Sequence, residues 1–258
     1  MAIKTLQKVM EAKVTEGEKA FVAYIMAGDG GLDSLREQIL FLQDSGVTAI
    51  ELGIPFTDPV ADGPVIQEAG LRALEAGANL RNIIKTISTF KEEIHTPLVV
   101  MTYLNPIIAY GILNFIKACE QSGVSGLIIP DLPLEESTII TNELQGTDIA
   151  LVQLVSLTSP QQRIEKIAKS AEGFIYAVTV NGTTGVRQEF TEQLEQHLAN
   201  LKIVSKVPVL AGFGISNAQQ VKEIGAMADG VIVGSAIVQA FHDGNNKQIT
   251  ELLRKQPV

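Results

Sequence analysis

The 258-residue chain carries 29 acidic side chains against 20 Lys and Arg, and its net charge of −9 disfavours a nucleic-acid partner. One cysteine, Cys119, excludes an internal disulfide framework, and one thiol with three scattered histidines cannot make a zinc cage. No apolar run approaches the ~18–20 residues that span a bilayer, and charges interrupt Met1–Lys13, so we expect a cytoplasmic chain without a signal peptide.

Short apolar segments recur along the chain after an N-terminal helical pattern, and a longer amphipathic pattern follows each of them. The eight strands that this pattern predicts are Phe21–Ile25, Ala49–Ile54, Leu98–Tyr103, Gly126–Pro130, Ala150–Val155, Gly173–Val178, Val207–Ala211 and Gly230–Val233. Most are nearly continuous runs of Val, Ile, Leu and Ala, which is typical of parallel strands buried on both faces. One of the intervening helices is expected from about Glu135 to Leu144.

Eight strand–helix units in about 250 residues predict an α/β fold, a single (β/α)8 TIM barrel spanning residues 1–258. The extra N-terminal helix carries Leu6 and Met10 on its apolar side and is expected to plug the barrel from below. An open doubly wound sheet is the main alternative, because strand–helix alternation does not report closure. The barrel is favoured because no Pro- or Gly-rich linker divides the chain and no G-x-G-x-x-G follows the first strand.

The strongest local signal is the acidic, proline-stiffened segment Glu51–Gln67, which reads ELGIPFTDPVADGPVIQ. Glu51 stands inside an apolar strand, where alternation allows its side chain to point into the barrel mouth. Burial there would raise its pKa and let it carry a proton both ways near neutral pH. Asp58 and Asp62 follow in the loop. The alternative is that Glu51 pairs with a buried arginine while both aspartates are turn or cap residues.

Glycine-bearing segments follow the last three predicted strands, where TIM barrels commonly bind phosphate. They are Asn181–Gly185, Gly212–Ser216 and Gly234–Ser235. Glycine lets backbone N–H groups approach an anion closely, and a helix starting at Ser235 would direct its positive end at the same point. Together the three segments predict a phosphorylated ligand.

Other catalytic groups are poorly placed. Lysines are missing from the predicted strand ends, which disfavours a Schiff-base aldolase. His95 precedes the third strand, His197 belongs to a helical stretch and His242 lies near the C-terminal end, so a histidine metal site is not expected. Carboxylates, backbone amides and hydroxyls remain. They support proton transfer on a phosphorylated substrate without a metal or cofactor.

The Glu51–Gln67 segment closely resembles the signature of the tryptophan synthase alpha subunit family. Further blocks match in the family's order: Ala27–Asp29, Met101–Pro106, Ile129–Pro133, Thr184–Gly185, Gly212–Ser216 and Gly234–Val238. The resemblance implies a lyase of tryptophan biosynthesis that cleaves indole-3-glycerol phosphate to indole and glyceraldehyde 3-phosphate.

The resemblance also implies roles for individual residues. Glu51 matches the family's acid/base and Asp62 its second catalytic carboxylate, which would hydrogen-bond the indole N–H. Tyr176 matches a tyrosine near the catalytic groups. Positions that match the phosphate site and the loop after strand 6 are Thr184, Gly185, Gly214, Gly234 and Ser235.

A β-subunit partner in an α2β2 heterotetramer is a further implication of the resemblance. Pyridoxal phosphate is expected only on that partner, which would receive indole through a tunnel. The residues in the loops that would face it are Pro55, Asp58, Pro59, Asp131 and Pro133.

The chain departs from the family at several positions. The family often has Phe at Tyr24, Thr at Met26, Pro at Gly30 and Arg at Val180. Two other functions stay open: a phosphosugar isomerase or epimerase barrel, and a catalytically weak subunit that mainly activates its partner. Intact Glu51 and Asp62 disfavour the second.

Overall fold

The computed structural model describes residues 3–179, 187–212 and 214–253, with the backbone alone for 187–191. Eight parallel strands pair in chain order, and β8 pairs with β1 to close a barrel. The strands are β1 Ala20–Met26, β2 Ala49–Gly53, β3 Leu98–Met101, β4 Val124–Ile128, β5 Ala150–Ser156, β6 Ile175–Val178, β7 Val209–Gly212 and β8 Gly230–Val233. Closure confirms the TIM barrel and makes the open-sheet alternative wrong.

Helices surround the barrel and close its lower end. They are α1 Thr5–Thr15, α2 Leu35–Asp44, α3 Pro64–Glu75, α4 Leu80–Phe90, α5 Leu104–Tyr110, α6 Ile112–Gln121, α7 Thr138–Thr141, α8 Gln161–Ser170, α9 Arg187–Val204, α10 Ala218–Met227, α11 Ser235–His242 and α12 Asn246–Leu253. Within the described ranges, no helix is both long and apolar enough to cross a membrane.

The helix predicted from Glu135 to Leu144 is wrong in its extent. A 3-10 turn covers Leu134–Glu136, and α7 is a single helical turn over Thr138–Thr141. All four residues of α7 are Thr or Ile, whose branched side chains lose rotamer freedom in a helix. The local sequence therefore sustains one turn and no more.

The N-terminal helix α1 plugs the amino-terminal end of the barrel, as predicted. Leu6 and Met10 are fully buried. A Cβ at Gly126 or Gly173 would lie 2.7 or 2.8 Å from the Leu6 side chain, so these glycines make room for the helix within β4 and just before β6. Lys4 anchors the helix through an ion pair with Glu172 at 2.7 Å.

Strand register determines which side chains share the barrel interior. Tyr24 on β1 pairs with Glu51 on β2, and Glu51 pairs with Val99 on β3. Tyr176 on β6 pairs with Leu210 on β7. Because paired residues of parallel strands present their side chains on the same face, the register brings polar side chains from distant segments into one interior.

Candidate active site

A cavity of about 250 Å³ opens at the carboxyl-terminal end of the barrel. Its lining consists of Tyr24, Glu51, Asp62, Gly63, Ile66, Met101, Tyr176, Gly214, Ile215, Ile232, Gly234 and Ser235. Six of the residues singled out from the sequence as catalytic or substrate-binding groups thus meet in one place. Thr184 and Gly185, also singled out, lie outside the described residues.

Glu51 is completely buried at the cavity wall. Neither of its carboxyl oxygens has a hydrogen-bond partner in the described part of the chain. Burial, and then the nearby Asp62 carboxylate, raise the pKa of Glu51 from its ordinary 4.5 to about 8. Among the described residues, no arginine pairs with Glu51. Glu51 is instead a neutral acid that can give up its proton near neutral pH.

Asp62 belongs to the loop between β2 and α3 and is fixed from several sides. The Tyr103 hydroxyl donates to Asp62 Oδ2 at 3.2 Å, and the side-chain amide of Gln67 donates to the Asp62 carbonyl at 2.8 Å. Partial burial raises the pKa of Asp62, while the Tyr103 hydrogen bond opposes that rise. These hydrogen bonds therefore hold the Asp62 carboxyl group in place at the cavity.

Tyr103 is a functional residue that the sequence analysis did not single out. It is almost completely buried, directly after β3, and its oxygen also accepts a hydrogen bond from the Ala61 N–H at 3.0 Å. Tyr103 thus holds both the backbone before Asp62 and the Asp62 side chain. The sequence offered one signal, its place at the end of a predicted strand within the Met101–Pro106 block.

Glycines and a helix start form the opposite side of the cavity. Gly214 has φ +78°, a conformation that favours glycine, and α11 begins at Ser235, as predicted. The amino-terminal end of α11 therefore lies at the cavity, where its partial positive charge favours an anion. This is the arrangement expected of a phosphate site.

Two tyrosine side chains in the cavity each pack against a glycine of the next strand: Tyr24 of β1 against Gly53 of β2, and Tyr176 of β6 against Gly212 of β7. A Cβ at Gly212 would lie 2.6 Å from the Tyr176 hydroxyl, and a Cβ at Gly53 would collide with the Tyr24 hydroxyl. Both tyrosines are nearly buried. The two glycines thus give the phenol groups room inside a crowded barrel.

The residues proposed to face a partner lie outside the cavity, in loops at the same end of the barrel. Asp58, Asp131 and Pro133 are exposed, Pro59 is partly exposed and Pro55 is buried. Asp131 accepts a hydrogen bond at 2.9 Å from the Leu104 N–H, the first residue of α5. The β4 loop is therefore tied to the residue that follows Tyr103.

The described residues that line the cavity include no Lys, His or Cys. Within the described ranges, His, Cys, Asp and Glu side chains form no cluster that could hold a metal. Cys119 is buried in α6, as expected of a small hydrophobic residue.

These features define the class: a TIM barrel with two carboxyl groups and a helix start in a cavity at the carboxyl-terminal end of its strands. Residues 10–257 match the family of the tryptophan synthase alpha chain. The chain belongs to that family.

Relatives match over almost the whole chain. The tryptophan synthase alpha chain of Listeria innocua is 57% identical over 251 residues, covering 97% of this chain and 96% of the relative. That of Bacillus cereus is 48% identical over 244 residues, covering 95% of each.

Solved structures agree with the sequence comparison. Tryptophan synthase subunit alpha from Legionella pneumophila superposes with a TM-score of 0.88 at 30% identity, covering 98% of both chains. A Mycobacterium tuberculosis tryptophan synthase chain gives 0.89 at 30% identity, again covering 98% of both. The protein is a lyase of tryptophan biosynthesis that acts on indole-3-glycerol phosphate by retro-aldol cleavage. The isomerase and activator alternatives are thereby set aside.

Proposed function

We propose that Glu51 is the acid/base of this cleavage and that Asp62 stabilises the charge on the indole ring. The observation that carries the proposal is the burial of Glu51 beside Asp62, without a hydrogen-bond partner among the described residues and with a pKa raised to about 8. A carboxyl group in this state can act as an acid in one step and as a base in the next.

In the proposed reaction, Glu51 donates one proton and later accepts one, so it ends in its starting state. Its carboxyl group donates a proton to indole C3, which gives a positively charged indolenine. The bond between C3 and the glyceryl chain then breaks, and its electron pair returns to the ring as neutral indole. The adjacent hydroxyl becomes the aldehyde of glyceraldehyde 3-phosphate and gives its proton to the Glu51 carboxylate, so the acid is restored.

Asp62 stabilises the positive charge that develops on the ring nitrogen. Its carboxylate accepts the indole N–H and lowers the energy of the indolenine cation. Tyr103 fixes this carboxylate through the 3.2 Å hydrogen bond. A group held in place before the reaction needs no reorganisation as the charge forms.

The substrate phosphate is proposed to bind where Gly214, Gly234 and the start of α11 at Ser235 meet the cavity. Thr184 and Gly185 complete the proposed substrate contacts, and Tyr176 lines the cavity between the two ends. Anchoring the phosphate fixes the indole ring relative to Glu51 and Asp62.

The chain is proposed to work as one domain, cytoplasmic, with a β subunit in an α2β2 heterotetramer. Chains in solved structures of Mycobacterium tuberculosis tryptophan synthase are similar to this chain. Pyridoxal phosphate is assigned to the β subunit alone, because the groups at this cavity complete the cleavage without it. Asp58, Pro59, Asp131 and Pro133 would contact the partner directly, whereas Pro55 would shape the loop from within.

Incubation of the purified chain with indole-3-glycerol phosphate, after chelator treatment and without pyridoxal phosphate, tests the proposal. We expect equal amounts of indole and glyceraldehyde 3-phosphate, and a much higher KM for the unphosphorylated indole-3-glycerol. Release of indole that depends on added metal or cofactor would contradict it.

A further inference from the structure

Tyr24 has a place in the cavity that the proposed mechanism does not use. It lies on β1 in register with Glu51, and its side chain leans across to Gly53, two residues further along β2. Gly53 is a regular strand residue without positive φ, so its lack of a side chain matters here as room for the phenol group. The Tyr24 side chain therefore lies in the cavity on the same barrel face as Glu51, with the Asp62 carboxylate also near.

Two other tyrosines lie near the carboxylates. The Tyr103 hydroxyl donates to Asp62, and Tyr176, packed against Gly212 of β7, faces Glu51 and Asp62 from β6. The Tyr24 hydroxyl makes no hydrogen bond within the described part of the chain, although Tyr24 is only 6% exposed. The Tyr24 hydroxyl can therefore donate a hydrogen bond to a group in the cavity.

Glu51 needs a donor at one stage of the reaction. As a neutral acid it tolerates its unpartnered surroundings, but after giving its proton to the ring it is a buried carboxylate facing Asp62. Burying an ionised carboxylate without a hydrogen bond is costly. A neighbouring O–H group would reduce that cost at the moment the charge appears.

We propose that Tyr24 is a positioning residue, whose hydroxyl donates a hydrogen bond to the Glu51 carboxylate each time Glu51 loses its proton. The inference rests on the proposed role of Glu51 as acid/base. It gives Tyr24 a function in the balance between the protonated and ionised states of Glu51.

The groups that face Glu51 leave Tyr24 in the donor role throughout the working range. They are Asp62 from the loop after β2, Tyr24 from β1 and Tyr176 from β6, with Tyr103 behind Asp62. Burial, and then the carboxylates of Asp62 and Glu51, raise the pKa of Tyr24 well above its ordinary value. The phenol therefore keeps its proton and can donate it to a hydrogen bond.

The titration of Glu51 in the full chain tests the inference. Glutamate side chains labelled with ¹³C at the carboxyl carbon are followed by NMR, and Glu51→Gln identifies the Glu51 resonance. Tyr24→Phe removes one oxygen and keeps the ring. We expect its Glu51 midpoint to lie about one pH unit above that of the parent, because the ionised form has lost a donor. We also expect kcat to fall about tenfold with KM little changed.

Tyr110→Phe is the matched control, since Tyr110 lies on α5 under Arg81, outside the cavity lining. It should leave both the midpoint and kcat unchanged. An unchanged or lowered midpoint in Tyr24→Phe would overturn the inference, as would a rise in KM alone, which would place the hydroxyl on the substrate. Failure of the proposed function is a separate result, an active Glu51→Gln variant.

Discussion

Glu51 combines a buried position with an ionisable group, and the cost of that combination is part of its chemistry. A raised pKa of an acid in the folded chain lowers the free energy of unfolding above the ordinary pKa, because the folded chain holds a proton that the unfolded chain releases. The same burial makes the carboxyl group an acid near neutral pH. Stability and reactivity at Glu51 therefore have one origin.

The first prediction concerns the pH dependence of stability. The pKa of Glu51 is about 8 in the folded chain against an ordinary 4.5, so its favourable contribution is complete below the lower value and is lost as pH rises through the higher one. Glu51→Gln has no proton to lose. Thermal unfolding should show the variant gaining stability over the parent between about pH 5 and about pH 9, by an amount of order a few kcal/mol. A pH-independent difference would mean that Glu51 is not held as a buried acid.

The second prediction separates the two aspartates of the loop after β2. Asp62→Asn removes the charge that helps raise the pKa of Glu51, so that pKa should fall, while cleavage slows about 10²-fold because the indolenine loses its counter-charge. Asp58 is exposed and accepts a hydrogen bond from the adjacent Thr57 hydroxyl, so Asp58→Asn should slow cleavage by the isolated chain much less. Steady-state indole release from both variants gives the comparison. Greater damage from Asp58→Asn would reverse the assignment.

At the scale of elements, the site depends on contacts between loops that are distant in sequence. Tyr103 after β3 holds Ala61 and Asp62 after β2, and Asp131 after β4 holds the start of α5 next to Tyr103. The sequence placed Glu51 on an inward face correctly, because alternation within one strand is a local property. It did not reveal the Tyr103–Asp62 contact, since that contact follows from the register of two strands and the path of a loop.

The third prediction concerns the phosphate end. A Cβ at Gly234 would lie 3.6 Å from the Tyr24 ring, an ordinary contact, so Gly234→Ala should fold with a nearly unchanged Tm. Its methyl group would obstruct the approach of the phosphate, and KM for indole-3-glycerol phosphate should rise roughly tenfold. Gly214 is a poorer test, because its positive φ makes any larger residue strain the backbone. A normal KM in folded Gly234→Ala would place the phosphate elsewhere.

At the scale of the whole molecule, the sequence predicted all eight strands, and most differ from the observed ones by one or two residues at an end. Nearly continuous apolar runs carried that information, because parallel strands are buried on both faces. Closure came from the size and rhythm of the units, since no local pattern shows that β8 pairs with β1. The predicted Glu135–Leu144 helix was too long for a local reason, because the branched Thr and Ile residues of α7 disfavour a longer helix.

The fourth prediction concerns communication with a partner. The exposed loops that are proposed to face the partner connect to Asp62 through Tyr103, so docking a tryptophan synthase β subunit should restrict Asp62 to its productive position. A differential stabilisation of only ~1.4–3 kcal/mol would raise the rate ten- to a hundredfold. Cleavage by the chain with and without the β subunit measures the effect. An equal rate, with binding shown independently, would remove the coupling and leave the lyase assignment unaffected.

The central claim is that one buried carboxyl group, Glu51, carries the proton through the cleavage. The kcat of Glu51→Gln for indole release, compared with the parent and with the exposed-site control Glu120→Gln, tests it most directly. We predict a loss of about 10²–10⁴-fold for Glu51→Gln, with KM preserved, and a normal kcat for Glu120→Gln. A folded Glu51→Gln variant within a few-fold of the parent would contradict the account.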